Sequence, residues 1–359
     1  MTSYTRVGGV SALISAAAFG VSGAVVSPLL DVGWSSASAV LARLSIGAIV
    51  LAPWVWSSMA GHWVHWRHYL RQMLTYGIIG VAGSQLCYFY AIRTIPVAVA
   101  LLIEYLAPVL VLLWLRVVHK TPLARLTLVG AAVAVAGTAL VLQMPAGTHL
   151  DPVGTAWALG AALGLATYFL VADASAPASS DAEVPVLPPV ALAGGGLVVG
   201  SVVLILSSAS GILPWSAPLD AVHYRDIMVP WWFPVLVLGV VTAALAYLSG
   251  VLAVRWLGSK IASFLALSEI LVAAAVSSVL LGQTFTVWQM VGAVVVITGI
   301  LIIRHPGNAT PGSAGPVSTG DHMDSPVQTL QRDSPNMPPF SARRVPGCAQ
   351  DNGGPPRRT

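Results

Sequence analysis

The sequence predicts an all-α membrane protein in which ten transmembrane helices form two inverted five-helix repeats. Three observations lead there. Of 359 residues, 56% are hydrophobic and only 8% are charged, with a mean hydropathy of +0.81. A soluble domain carries about a quarter charged residues. Apolar runs of about 20 residues, enough to cross a hydrocarbon core ~30 Å thick, recur ten times along the chain. The two halves also repeat one another at a fixed spacing, seen in Arg93 and Arg255, which lie 162 residues apart.

The first span, 7–30, follows Arg6. It is too long for the apolar region of a signal peptide and nine spans follow it, so it reads as a membrane helix. The second, 35–57, carries Arg43. The connector HWVHWRH (62–68) spaces His62, His65 and His68 every three residues, but without an acidic residue or cysteine beside them. Trp and His are ordinary at a membrane interface, and no metal site is predicted. The third span, 70–91, leads to the fourth, 95–116, which contains LLIEYLAPVL (101–110). The fifth and sixth follow at 125–143 and 153–173. The seventh, 184–206, and eighth, 229–251, begin in sequence rich in Pro and Gly. The ninth, 258–281, and tenth, 286–304, complete the set. Residues 305–359 are rich in Pro, Gly, Ser, Asp and Arg without apolar periodicity, which predicts a disordered cytoplasmic tail. Cys87 lies in a span and Cys348 in the tail, so no disulfide framework is expected.

Basic residues beside the spans set orientation. With the N-terminus inside, Arg6, Arg67, Arg71, Arg116, Lys120, Arg125, Arg255, Lys260 and Arg304 fall on the inner side, and Arg93 and Arg225 on the outer side. Both termini are then cytoplasmic. The 174–183 loop runs against this pattern, holding Asp181 and Glu183 and no basic residue.

The 162-residue spacing that relates Arg93 to Arg255 also relates Ala100 to Ala262, Gly130 to Gly292 and Gly137 to Gly299. Five spans per half is an odd number, so the halves, 7–143 and 153–304, are inverted. Inverted repeats with a site near the bilayer midplane are a common design in secondary transporters.

Three ionisable residues lie deep in spans. Glu104 is about nine residues into the fourth, roughly 14 Å along a helix rising 1.5 Å per residue. Glu269 is similarly deep in the ninth, and Arg43 is about eight residues into the second. A charge there costs on the order of 2.5–3.5 kcal/mol even on the gentlest scale, so each should face a cavity or a partner. An ion pair of Arg43 with Glu104 that only locks helices is the structural alternative. By the repeat spacing Glu104 aligns with Ala266 and Glu269 with Ala107, an offset of three residues. Pro108 lacks an N–H and clashes with the carbonyl of Glu104, four residues back, which predicts a kink in the fourth span. Gln85, Tyr88, Tyr105, Tyr168 and Tyr247 are candidate walls, with Gln85 and Tyr247 as repeat mates. Gly130 with Gly137, and Gly292 with Gly299, present small faces that let helices approach closely, between halves or between protomers.

The stretches LARLSIGAIVLAPW, YFYAIRTIPVAVALLIEYLAPVLVLLW (88–114), LVGAAVAVAGTALVL (128–142) and the run from Lys260 to Ile303 resemble the drug/metabolite transporter superfamily, specifically the EamA-type ten-helix exporters. The resemblance covers 7–304. It implies two inverted repeats, a central pocket walled by the inner helices, and the fifth and tenth helices at the periphery. The chain departs from it at Glu269-Ile270, where the family often has Glu-Pro, and at Gly282-Gln283, where it often has Gly-Glu.

The expected function is transport of a small polar metabolite across an inner membrane, most simply outward. The resemblance implies amino acids and related compounds as the substrate class. Glu104 is the candidate proton carrier, and Arg43 the partner of a substrate carboxylate or of Glu104. An uncoupled facilitator or exchanger, and an intramembrane enzyme or sensor, are the rivals; no nucleophile–base pair or P-loop supports the latter. Expected partners are the metabolite, protons and the bilayer, with a homodimer as a candidate assembly. No cofactor and no nucleic acid are expected.

Overall fold

The computed structural model describes residues 3–60, 66–143, 151–175, 186–225, 227–282 and 286–304. His62, His65 and the tail at 305–359 lie outside the described residues. Within the described residues each of the ten apolar stretches is largely helical, as expected where no water is present to hydrogen-bond the backbone. Helices α1 (Ser3–Asp31) and α2 (Ser36–Met59) form the first two spans. The third consists of α3 (Trp66–Thr75), a π-helical segment (Tyr76–Gly83) and α4 (Ser84–Ala91). The fourth is split into α5 (Val97–Glu104) and α6 (Ala107–Val117). Then follow α7 (Arg125–Leu142), α8 (Pro152–Ala174) and α9 (Pro189–Ala209).

A two-stranded antiparallel hairpin, β1 (Val222–Tyr224) with β2 (Ile227–Val229), precedes the eighth span. The Tyr224 hydroxyl ties it to α1 by donating to the Val25 carbonyl at 2.6 Å. Helix α10 (Trp232–Gly239), a second π segment (Val240–Leu245) and α11 (Ala246–Ala266) follow. Gly258, at φ 76° and ψ 160°, divides α11, a conformation only glycine adopts freely. It marks the passage from the eighth span to the ninth, which α12 (Glu269–Leu281) continues; α13 (Val287–Arg304) is the tenth.

The repeat extends to these irregularities. The π segments end at Gly83 and Leu245, and the breaks fall at Tyr105–Leu106 and Leu267–Ser268. Both pairs are 162 residues apart (245 − 83 and 267 − 105). The halves interlock: α1 packs on α11 and α12, α8 packs on α4, α5 and α6, and α2 packs on α9. Helices α7 and α13 pair chiefly with each other. Their glycines make this possible. A Cβ on Gly137 would meet the Val296 nitrogen at 2.5 Å and the Gly292 carbonyl at 3.0 Å, and one on Gly299 would meet Ala134 Cα at 2.8 Å. This close face joins the two halves of one chain, so it is not open to a second protomer. Outside the bundle, exposed Trp54 and Trp56 near the end of α2 and Trp232 at the start of α10 sit at helix ends, where aromatic rings meet lipid headgroups.

Ser35 holds the turn between α1 and α2. It caps α2 by accepting the Ser38 N–H at 3.1 Å and donates to the Pro214 carbonyl at 2.8 Å. Loss of such a cap costs about 1 kcal/mol. Ser35→Ala is therefore expected to lower the thermal midpoint of the detergent-solubilised protein by a few degrees, read by a fluorescence melt, with the fold retained.

Candidate functional site

A cavity of about 470 Å³ lies inside the bundle. The structure brings Arg43, Gln85, Tyr88, Glu104, Tyr105, Pro108, Tyr168, Tyr247 and Glu269 to its walls. Two features of the backbone place them. The π segments precede Gln85 and Tyr88 on α4 and Tyr247 on α11; the helix breaks carry Glu104 and Glu269.

The fourth span is interrupted one turn before Pro108, next to the Glu104 carbonyl where the sequence predicts a kink. The helix stops at Glu104, turns through Tyr105 and Leu106, and restarts, with Pro108 buried in the first turn of α6. Proline is tolerated there because first-turn N–H groups have no helical partner. The three-residue offset between the glutamates thereby gains a meaning: it spans the break. Glu104 is the last residue of α5, at the negative end of a half-helix, while Glu269 is the first residue of α12, at a positive end.

Glu104 is held by Ser84, whose hydroxyl donates to Oε1 at 3.1 Å. The Tyr105 hydroxyl approaches the Glu269 carboxyl. Among the described residues no hydrogen bond or close ion pair joins Arg43 to Glu104; the guanidinium acts on Glu104 and Glu269 through its charge across the cavity. Arg43 Nε is buried without a hydrogen-bond partner, and its guanidinium lies 5.4 Å from the Phe19 ring centroid. From Phe19 an aromatic series runs to Tyr247 (5.1 Å), Tyr168 (5.8 Å) and Tyr76 (5.2 Å). The hydroxyls of Tyr76 and Tyr168 are buried and approach each other. Among the described residues no cluster of His, Cys, Asp and Glu could hold a metal ion.

Sequence reasoning missed the wall supplied by α1. Ala12, Ser15, Phe19, Gly23, Val26 and Leu30 face the cavity. None is ionisable, so none stood out, yet their spacing of three or four residues marks a single helix face. Glycine at position 20 brings that face close to α12, where a Cβ would meet the Glu269 carbonyl at 2.7 Å.

The arrangement is thus a chamber within the bundle with two carboxyl groups, one unsatisfied guanidinium nitrogen and several phenols. Such a chamber can bind a small polar molecule by both signs of charge and can exchange a proton at a carboxyl.

Comparison with known proteins agrees with the fold. Over 310 residues the chain is 23% identical to an uncharacterized inner membrane transporter, YicL, of Salmonella typhimurium, covering 83% of this chain and 95% of that one. A crystal structure of a protein 17% identical in sequence superposes with a TM-score of 0.62 over 84% of this chain and 96% of that one, and shows the same fold. The model of the EamA-like transporter family matches residues 6–143 and 152–304. The chain is a membrane transporter and belongs to the EamA-like transporter family.

Proposed function

We propose that the protein is a secondary transporter of the inner membrane that exports small polar metabolites, amino acids or related compounds, through this chamber, with Glu104 exchanging a proton. The observation that carries the reading is Arg43, which lines a chamber that also holds Glu104 and Glu269 and whose buried Nε has no hydrogen-bond partner. A guanidinium with a buried, unpartnered N–H is costly, so a ligand that brings a carboxylate to the half-buried Arg43 side chain gains a strong contact. Inner-membrane placement is supported by the relative, and the surplus of basic residues at one side supports cytoplasmic termini. The halves 7–143 and 153–304 act as the two repeats about the site.

The reading is tested by efflux of a metabolite panel from cells with and without the protein. At least one polar compound should leave faster when it is present. Arg43→Gln, at equal expression, should lower that rate by roughly 30-fold or more, as expected when one partner of a buried charged contact is removed. A rate unchanged in Arg43→Gln would sink the assignment of Arg43.

A further inference from the structure

The two halves are related by sequence, yet they do not pack alike. Helix α11 packs against α6, α8 and α9. By the repeat, the matching contacts would join α4 and α5 to α12, α1 and α2; of these only α4 with α2 meet to any extent, and more sparsely than α11 with α9. The cavity follows this asymmetry. Its floor is made by Ala12, Ala253 and Ala262, which are 4% exposed or less, while its other end reaches Leu30, which is 37% exposed, and Ser36. One end is sealed and the other open.

A polar staple holds the sealed end. The Ser259 hydroxyl donates to Asp173 Oδ2 at 2.6 Å. Arg255 Nη2 donates to Ser175 Oγ at 3.4 Å and to the Leu187 carbonyl. These bonds tie the end of α8 and the entry to α9 onto the turn at Gly258. At the open end two counterparts stand apart, one related by the 162-residue spacing and one by its place at a helix end. Arg93, the mate of Arg255, is exposed and lies over the Tyr90 ring at 4.6 Å. Asp31 ends α1 as the penultimate Asp173 ends α8; it too is exposed, and among the described residues it forms no ion pair.

We infer that Asp173, Ser259 and Arg255 form one gate of the transporter, and that Asp31 and Arg93 form the opposite gate in the alternate state. When the staple opens, the open end closes by the repeat-related motion, and Arg93 leaves Tyr90 to pair with Asp31. Inverted repeats achieve alternating access by exchanging the conformations of their halves, and the opposite charges of Asp31 and Arg93 suit the new contact. With basic residues inside, the staple is the cytoplasmic gate. The inference rests on the transport reading, but its test reads accessibility rather than flux, so failure to find a transported metabolite would leave the gate result standing.

The test uses the full-length protein in membrane vesicles of both orientations, with Cys87 and Cys348 replaced by serine and one reporter thiol labelled by a membrane-impermeant maleimide. Gly23→Cys reports the open end, since a side chain there meets nothing within 4 Å; Ala262→Cys reports the floor. Breaking the staple with Ser259→Ala and Arg255→Gln should label Ala262→Cys about tenfold faster from the sealed side, the scale of one charge-assisted hydrogen bond. Gly23→Cys should slow at the same time. Adding Arg93→Glu, which repels Asp31, should remove that slowing. Reporters that both stay unchanged, or both speed up as in a loosened bundle, would overturn the gate. Slowing that survives Arg93→Glu would overturn the Asp31–Arg93 half. If the double variant does not fold, Asp173→Asn replaces it with the same expected directions.

Discussion

Glu104→Gln is expected to abolish accumulation driven by a pH gradient while exchange of substrate for substrate continues. Glutamine keeps the shape of the side chain and an oxygen that accepts the Ser84 hydroxyl, which lies 3.1 Å from Oε1 in the native chain. It cannot take up or release a proton. In proteoliposomes, antiport of one proton per substrate across a gradient of one pH unit supports about tenfold accumulation on the acidic side, since tenfold corresponds to ~1.4 kcal/mol. That ratio should fall to one in Glu104→Gln, with counterflow retained. Undiminished accumulation in the variant would remove Glu104 from coupling. A wild-type flux indifferent to the gradient would instead identify a facilitator or exchanger.

The second large effect concerns stability. Gly137→Leu is expected to prevent α7 and α13 from closing. The first side-chain carbon alone would stand 2.5 Å from the Val296 nitrogen and 3.0 Å from the Gly292 carbonyl. Both neighbours are backbone, so the helices must separate to admit even a methyl group, and leucine adds three more carbons. Overpacking typically costs about 1–3 kcal/mol, and a contact along a whole helix pair belongs at the upper end. The expected readout is a large fall in thermal midpoint, or loss of the monodisperse peak, in size-exclusion melts. Gly23→Leu is the control: it adds the same bulk where nothing lies within 4 Å and should melt like the native protein. Equal melts for Gly137→Leu and the native chain would show that the α7–α13 face contributes little.

The fold was legible because the bilayer restricts the choices. Where the backbone must satisfy itself, an apolar run of membrane length becomes a helix, and a spacing of 162 residues reveals the second half as a copy of the first. The chamber was half legible. Charged residues such as Arg43, Glu104 and Glu269 announce themselves at depth because their burial is expensive. Phe19 and Gly23 on α1 carry no such signal, and only the three-and-four spacing of that face points inward. The break at Tyr105–Leu106 is legible in Pro108, which disrupts the turn before it and is at home in the first turn of a new helix. Nothing at Leu267–Ser268 announces the matching break, since no proline follows it within four residues. The repeat was the available clue.

The π segments of the third and eighth spans have a consequence of their own. A π turn holds more residues than an α turn, and each added residue swings everything after it about the helix axis by roughly 100°. Gln85 and Tyr88 follow the first segment within five residues, and Tyr247 follows the second within two. Their azimuth is therefore set upstream, by an excess of residues counted before they are reached. Were Tyr76–Gly83 to relax into an ordinary helix, Gln85 and Tyr88 would rotate out of the chamber though no residue in contact with it had changed. The two halves carry this offset at matched positions, so the chamber's inward-facing side chains depend on a phase that both halves keep.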